Sequence, residues 1–416
     1  MKSSRLTVML VVLAMVLGLA SLASAAPIEI RFLFPVQTAG ALAVAMEDIV
    51  DEFNQANPDI KVNAIFTGNY GATNDRIRTT TLAGNPPHVA LTEMVQAIAL
   101  DELNAVVDLT SYIEAEGPGF YDDFIDGFWR GFQLEGKILG LPFQHSVPLA
   151  YYNLDALAEA GLDPDNPPTT WDETKKAAEA LLAADPNRLP IVSPGDAWVL
   201  QGLVESNSGS YVKDLETPSF DDPKVIEALQ FFYDMVHTWK LLEIRGYGEA
   251  SEDFLAGDTA IMYNSTGSMA FVRDNAYFDW SVGPLPRNTV HSFPYGGGGL
   301  YLFKGHSPEE EAAAWRFMKY LTSPEITARW SRTSGYFAVR KSAYELPEMQ
   351  AYFQQFPQAK QASDLLQYTN RQWILRRYGE ASQLVGTVFE AVLVLGEKTP
   401  AEGMEELQAQ LSPLYK

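Results

Sequence analysis

From Ile28 onward the chain alternates short apolar strands with amphipathic helices, and no other feature restricts its fold as strongly. IEIRFLFPV reads as a strand, Ala41 to Asn54 as a helix, Val62 to Thr67 as a strand, Thr73 to Ala83 as a helix and His88 to Thr92 as a strand. In the first helix Leu42, Met46, Ile49, Val50 and Phe53 recur at spacings of three and four, and Asn57-Pro58 closes it. Strands alternating with helices of this length predict a mostly parallel sheet covered by helices on both faces. Ligands of such sheets bind beyond the carboxyl ends of the strands. Tyr70 and Glu93 follow two of those ends.

A chain of 416 residues is too long for one core, and its length suits two or three domains. The stretch Gly140 to Asn153, GLPFQHSVPLAYYN, is the expected junction: Pro142 and Pro148 stiffen the backbone around Gln144, His145 and Ser146. Polar groups held at a junction between lobes are candidate ligand contacts. Beyond it, Thr170 is placed to cap a helix from Trp171 to Ala183, and a strand Leu189 to Val192 leads to the turn SPGDAW, which delivers Trp198. Glu205 to Phe220, rich in Ser, Gly, Asn and Pro, reads as a surface loop. Trp280 to Leu285 reads as a strand where the chain returns to the first lobe. The expected division is residues 26–144 plus 296–335 for one lobe and 145–295 plus 336–416 for the other.

The formal net charge of -23 disfavours nucleic acid and anionic membrane surfaces as partners. Residues 1–25 begin with Lys2 and Arg5, continue in an apolar run and end in Ala23-Ser24-Ala25, the pattern of a cleaved secretory signal peptide. With no cysteine, disulfides, thiolate metal sites, a cysteine nucleophile and a lipid-anchor cysteine are all excluded. The expectation is an exported, periplasmic protein. The five histidines are scattered, so no metal or cofactor is expected. G-x-S-x-G, H-E-x-x-H and the phosphate-binding G-x-x-x-x-G-K-[ST] are absent, and Ser210-Tyr-Val-Lys213 matches S-x-x-K without the motifs that accompany it in enzymes. A binding role is expected, not catalysis.

Candidate contacts come from four places. The glycine run Gly296 to Gly299 either lets backbone N–H groups approach an anion or bends a strand at a lobe crossing. Asn264 to Ser268 offers hydroxyls at a strand end, or a helix cap by Ser265 or Thr266. Arg376 and Arg377 are surface charges or, in so acidic a chain, the guanidinium an anion would need. Tyr70, Trp198 and Tyr336 sit in turns, either as stacking faces for a polyol or as partly covered rings.

FNQANPDI, TTTLAGNPPHVAL, GLPFQHSVPLAYYNLDALAEAGLDP, PPTTWDE and FLAGDTAIMYNSTGS together make the whole mature chain resemble the extracellular solute-binding proteins of bacterial ABC importers, the group that includes maltose-binding protein. The resemblance implies a two-lobed α/β periplasmic-binding-protein fold of type II, each lobe a mostly parallel sheet flanked by helices, with the ligand cleft at the hinge. GNY, TEM, SGYFAV and RYG are similar to the glycerol-3-phosphate-binding subunits of Ugp-type importers. That similarity implies a cleft lined by Tyr70, Glu93, His145, Ser146, Trp198, Ser265, Thr266, Gly297, Tyr336 and Arg377, the phosphate being held by Arg377 and the glycine N–H groups. The choice between Arg376 and Arg377 stays open. It also implies a monomer that hands glycerol-3-phosphate or a glycerophosphodiester, such as glycerophosphocholine, to membrane permease subunits. The alternative ligand is a neutral sugar or oligosaccharide. Two positions depart from the pattern: Gly195 stands where a second tryptophan is usual, which would widen the pocket, and His145 where a serine is usual.

Overall fold

A computed structural model describes residues 26–36 and 41–415, so the expected signal peptide, residues 1–25, lies outside the described residues. The first strands and helices are β1 (Ile28–Phe34), α1 (Ala41–Ala56), β2 (Ile60–Phe66), α2 (Tyr70–Leu82) and β3 (Val89–Glu93). β1 runs parallel to both β2 and β3. The five apolar residues spaced along α1 are all buried. Phe53 meets Phe317 edge-on at 5.1 Å, and Phe317 meets Phe32 in the same manner at 5.1 Å, which ties α1 and a later helix to the sheet. Burying one such ring contributes about 2–3 kcal/mol.

β4 (Leu141–Ser146) and β5 (Pro148–Asn153) follow, separated by Val147 alone. The expected crossing segment is therefore two strands of different sheets. The second half of the chain adds α3 (Trp171–Ala184), β6 (Leu189–Ser193), α4 (Ala197–Ser206), β7 (Leu242–Ile244), α5 (Tyr247–Ala256), β8 (Thr259–Ser265) and β9 (Trp280–Pro284). Thr170 caps α3 through a capping box with Glu173, which satisfies N–H groups that the first turn leaves unpaired. β10 (Phe293–Leu302), α6 (Pro308–Leu321), α7 (Pro324–Ser334), β11 (Thr369–Arg371) and α8 (Tyr378–Phe389) complete the elements that position the site.

One sheet has the order β11-β10-β3-β1-β2, with β4 also paired to β10; the other has the order β7-β6-β8-β5-β9. Trp280 to Leu285, expected to begin the return to the first lobe, instead pairs with β5 in the second sheet through β9. The return is made by β10, antiparallel to both β3 and β4. Glu205 to Phe220 is not a plain surface loop either. It holds the end of α4 and a small hairpin, and Tyr211 is fully buried, stacked on Phe220 at 4.8 Å. Its polar composition hid one aromatic anchor.

The crossing at Val147 is clamped. Val147 N–H donates to Thr266 Oγ1 at 3.3 Å, and the Val147 carbonyl accepts from Thr266 N–H at 3.0 Å. Phe337 N–H donates to the His145 carbonyl at 2.8 Å. Three passes of the chain thus meet at this point, beside Gly296 and Gly297, which pair with Ser146 and His145.

Candidate functional site

A cavity of about 120 Å³ lies where those passes meet, lined by residues of both sheets and their helices. The first sheet contributes Glu93 from the end of β3, Ser146 from the end of β4, and Gly296 and Gly297 from β10. Tyr70, the first residue of α2, enters because Asn69 caps that helix and turns it toward the sheet. Gln144 Nε2 donates to the Tyr70 hydroxyl at 2.6 Å, which fixes the ring. From the other side come Asp196 and Trp198 at the start of α4, Tyr247 at the start of α5, Ser265, Gly267 and Ser268 after β8, Tyr336 and Gln372.

Backbone shape at the wall is set by glycine. Gly297 has φ +99, and a Cβ there would overlap the Gln144 carbonyl. At Gly296 a Cβ would sit 2.7 Å from Trp198 Cζ2, so the absent side chain is what lets the indole pack against the strand.

The cavity carries two carboxylates and no Lys, Arg or His among its lining residues. Burial raises the pKa of Glu93 above its ordinary value, with the charge of Asp196 adding to the rise and hydrogen bonds from Asn74 and Gln96 opposing it. Burial also raises Asp196, opposed by bonds from the Tyr247 hydroxyl and from the N–H groups of Val199 and Trp198. The Asn74 amide donates to Glu93 at 3.1 Å, and Asp196 caps α4 by accepting from Trp198 N–H at 3.1 Å and Val199 N–H at 3.0 Å. Two such groups side by side favour a ligand that brings positive charge or hydroxyl protons. Trp198 Nε1, buried without a protein partner, is a further donor at the wall.

A second recess, about 420 Å³, shares Glu93, Asp196, Trp198 and Gln372 with this cavity. Gly195 lines it, and a Cβ at Gly195 would reach the Ile244 side chain at 3.2 Å. A large ring at this position would fill the recess.

Of the ten residues expected at the cleft, the structure brings together Tyr70, Glu93, Ser146, Trp198, Ser265, Gly297 and Tyr336. Three lie elsewhere. His145 is fully buried and stacked on Phe128 at 4.1 Å, neither ring nitrogen has a partner, and desolvation lowers its pKa to about 3. Strand alternation explains this: Ser146 points into the cavity, so its neighbour points away. Thr266 is spent on the Val147 clamp. Arg377 is exposed outside the cavity, its guanidinium paired with Glu380 and its N–H donating to Glu102 at 3.1 Å. Arg376 is paired with Glu135 and Glu216. The tail segment instead places Gln372 in the cavity, and no pattern in the sequence marks it. Asp196 was missed, although an aspartate just before the helix bearing Trp198 is a cap signal that could have found it. Tyr247 and Ser268 carried no such signal.

Among the described residues, His88, His306 and Glu310 form a cluster with metal-ligand chemistry. Arg31 N–H donates to His88 Nδ1 at 3.0 Å, so the neutral ring carries its proton on Nε2, which faces Glu310 at 3.5 Å. His88 cannot offer that nitrogen to a metal without losing a second proton, and only two ligands remain. The cluster packs the start of β3 against α6.

Comparison with known proteins fits this geometry. The sequence pattern of the bacterial extracellular solute-binding protein family matches residues 48–358. The sn-glycerol-3-phosphate-binding periplasmic protein UgpB of Yersinia pseudotuberculosis is 28% identical over 391 residues, 88% of each chain. UgpB from Mycobacterium tuberculosis in complex with glycerophosphocholine superposes with a TM-score of 0.82 at 24% identity, covering 93% of this chain and 98% of that one. Maltose-bound MalE3 of T. maritima superposes with a TM-score of 0.83 at 22% identity, covering 92% and 100%. The two-lobed α/β fold is theirs. The chain therefore belongs to the bacterial extracellular solute-binding protein family, the substrate-binding components of ABC importers.

Proposed function

We propose that the chain captures a zwitterionic glycerophosphodiester such as glycerophosphocholine, in the periplasm, and delivers it to importer permease subunits. The observation that carries this reading is that Glu93 and Asp196 share one cavity with Tyr70, Trp198, Tyr247 and Tyr336 and with no cationic side chain. Aromatic faces beside carboxylates suit a quaternary ammonium group. The hydroxyls of Ser146, Ser265 and Ser268 would serve the phosphodiester and glycerol, and the recess beside Gly195 gives the longer ligand room. The relatives that bind glycerol-3-phosphate and glycerophosphocholine support the ligand class.

Glycerol-3-phosphate itself fits less well. A phosphate dianion would face two carboxylates, each repelling it by about 3 kcal/mol per unit charge at 5 Å in a medium of effective dielectric 20. The second reading is a neutral sugar, favoured by the same carboxylates acting as acceptors for hydroxyls. Closure would be a hinge motion about the crossings near Val147, Gly296 and Phe337.

Calorimetric titration of the mature protein with glycerophosphocholine, glycerol-3-phosphate and maltose is the test. Glycerophosphocholine should bind one-to-one and unchanged in recovery, about tenfold or more tighter than glycerol-3-phosphate. Asp196→Asn should weaken it more than tenfold, and Arg377→Ala should leave it within about twofold. Tighter binding of glycerol-3-phosphate, or loss of binding in Arg377→Ala, would overturn the reading. Binding of maltose alone would establish the sugar instead.

A further inference from the structure

Most arginines of this acidic chain are taken up by carboxylates: Arg78, Arg188, Arg245, Arg273, Arg316, Arg329, Arg340, Arg376 and Arg377 all have an acidic partner within 4.0 Å. Arg130 and Arg371 have none among the described residues, yet both line one recess of about 670 Å³. Gln372 is the wall between this recess and the ligand cavity. Both arginines belong to the wall of the recess. Both lie near enough to the Tyr295 hydroxyl for their charges to oppose its burial-driven pKa rise, and that buried hydroxyl has no partner of its own.

Two carboxylates also line the recess, and their acceptor sites are engaged by neutral donors. Glu205 accepts from Gln201 at 2.7 Å, Ser292 at 2.9 Å and Asn370 at 3.4 Å, while Asp214 accepts from Glu216 N–H at 2.8 Å and Thr217 Oγ1 at 2.9 Å. Among the described residues, nothing engages the donor forks of the two arginines. Planar guanidinium groups match the paired oxygens of phosphate or carboxylate.

We propose that this recess is a second binding site, taking a small oxyanion between Arg130 and Arg371, separate from the cavity that holds Glu93 and Asp196. It does not rest on the glycerophosphodiester reading, because none of its charged groups lines that cavity.

The test is a titration of the full mature protein at low ionic strength with inorganic phosphate in one arm and acetate in the other. The wild-type protein should bind phosphate, and acetate in the other arm tells whether any small oxyanion suffices or a tetrahedral one is required. Arg371→Gln and Arg130→Gln should each raise the dissociation constant at least about tenfold. Arg377→Gln should change it less than about twofold, and saturating glycerophosphocholine should leave it unaltered. Arg130 is exposed, so its variant reads out binding even if Arg371→Gln proves poorly folded. Absence of binding to both anions, equal binding in the Arg130 and Arg371 variants, or equal loss in the Arg377 variant would overturn the proposal.

Discussion

Gly297→Ala tests the wall of the ligand cavity more severely than any change to a side chain already there. Gly297 has φ +99, in the left-handed half of conformational space, where a Cβ costs about 1–2 kcal/mol. That Cβ would overlap the Gln144 carbonyl oxygen and lie 3.0 Å from its carbon and 3.1 Å from His145 Cα. Backbone is what it would strike, and that backbone is held by β10 on one side and by the Phe337 bond on the other. Relief therefore requires parting two strands, an overpacking cost of about 1–3 kcal/mol. The sum is about 2–5 kcal/mol, or roughly 30-fold to several-thousand-fold in the folding equilibrium at about 1.4 kcal/mol per factor of ten. Equilibrium urea denaturation followed by circular dichroism reads this directly. Gly386→Ala is the control: nothing lies within 4 Å of a Cβ there, the residue is inside α8, and replacing glycine in a helix should stabilise by about 0.5–1 kcal/mol. A Gly297→Ala protein within about 0.5 kcal/mol of wild type would refute the claim that the cavity wall is sterically fixed.

Asp196→Ala removes a helix cap, worth about 1 kcal/mol, and strands the Tyr247 hydroxyl at a cost of about 1 kcal/mol more, whereas Asp196→Asn keeps its one oxygen for the cap N–H groups and can donate its amide N–H to the Tyr247 hydroxyl oxygen, and should lose under about 1 kcal/mol in the same denaturation assay. Glu205 supplies a pH dependence. Burial raises its carboxyl from an ordinary 4.5 to about 6, so the native state holds a proton that the unfolded chain has released. Its contribution is present below pH 4.5 and lost as pH rises through 6, about 2 kcal/mol across that window, and Glu205→Gln should flatten this part of a stability-against-pH curve.

Much of the site was legible because turn chemistry is local. Tyr70, Glu93 and Ser146 stand at the ends of elements whose periods are written in the chain, and Trp198 follows a capping aspartate. The rest depended on direction. His145 and Ser146 are adjacent in sequence, yet only one can face the cavity, and the strand's pairing with β10 decides which. Ser265 both caps its turn, accepting from Gly267 N–H at 3.0 Å, and lines the cavity, so the two roles that its sequence left open are compatible. Arg377 failed as a cleft residue because an exposed arginine three residues before a glutamate has a partner at hand.

The sequence by itself determined the alternation of strands and helices, the stiffened crossing at Val147, the helix starts and the acidic character of the chain, since each follows from composition, proline and glycine placement, or spacing within a few residues. Only the tertiary structure decided which sheet β9 joins, that Gln372 and not Arg377 reaches the cavity, and that Glu93 and Asp196 share it without a cation. Glu93 and Asp196 stand 103 positions apart in the chain. Their pairing is set by how two sheets are brought together, and burial of that pair, with no guanidinium between them, gives the cavity its chemistry.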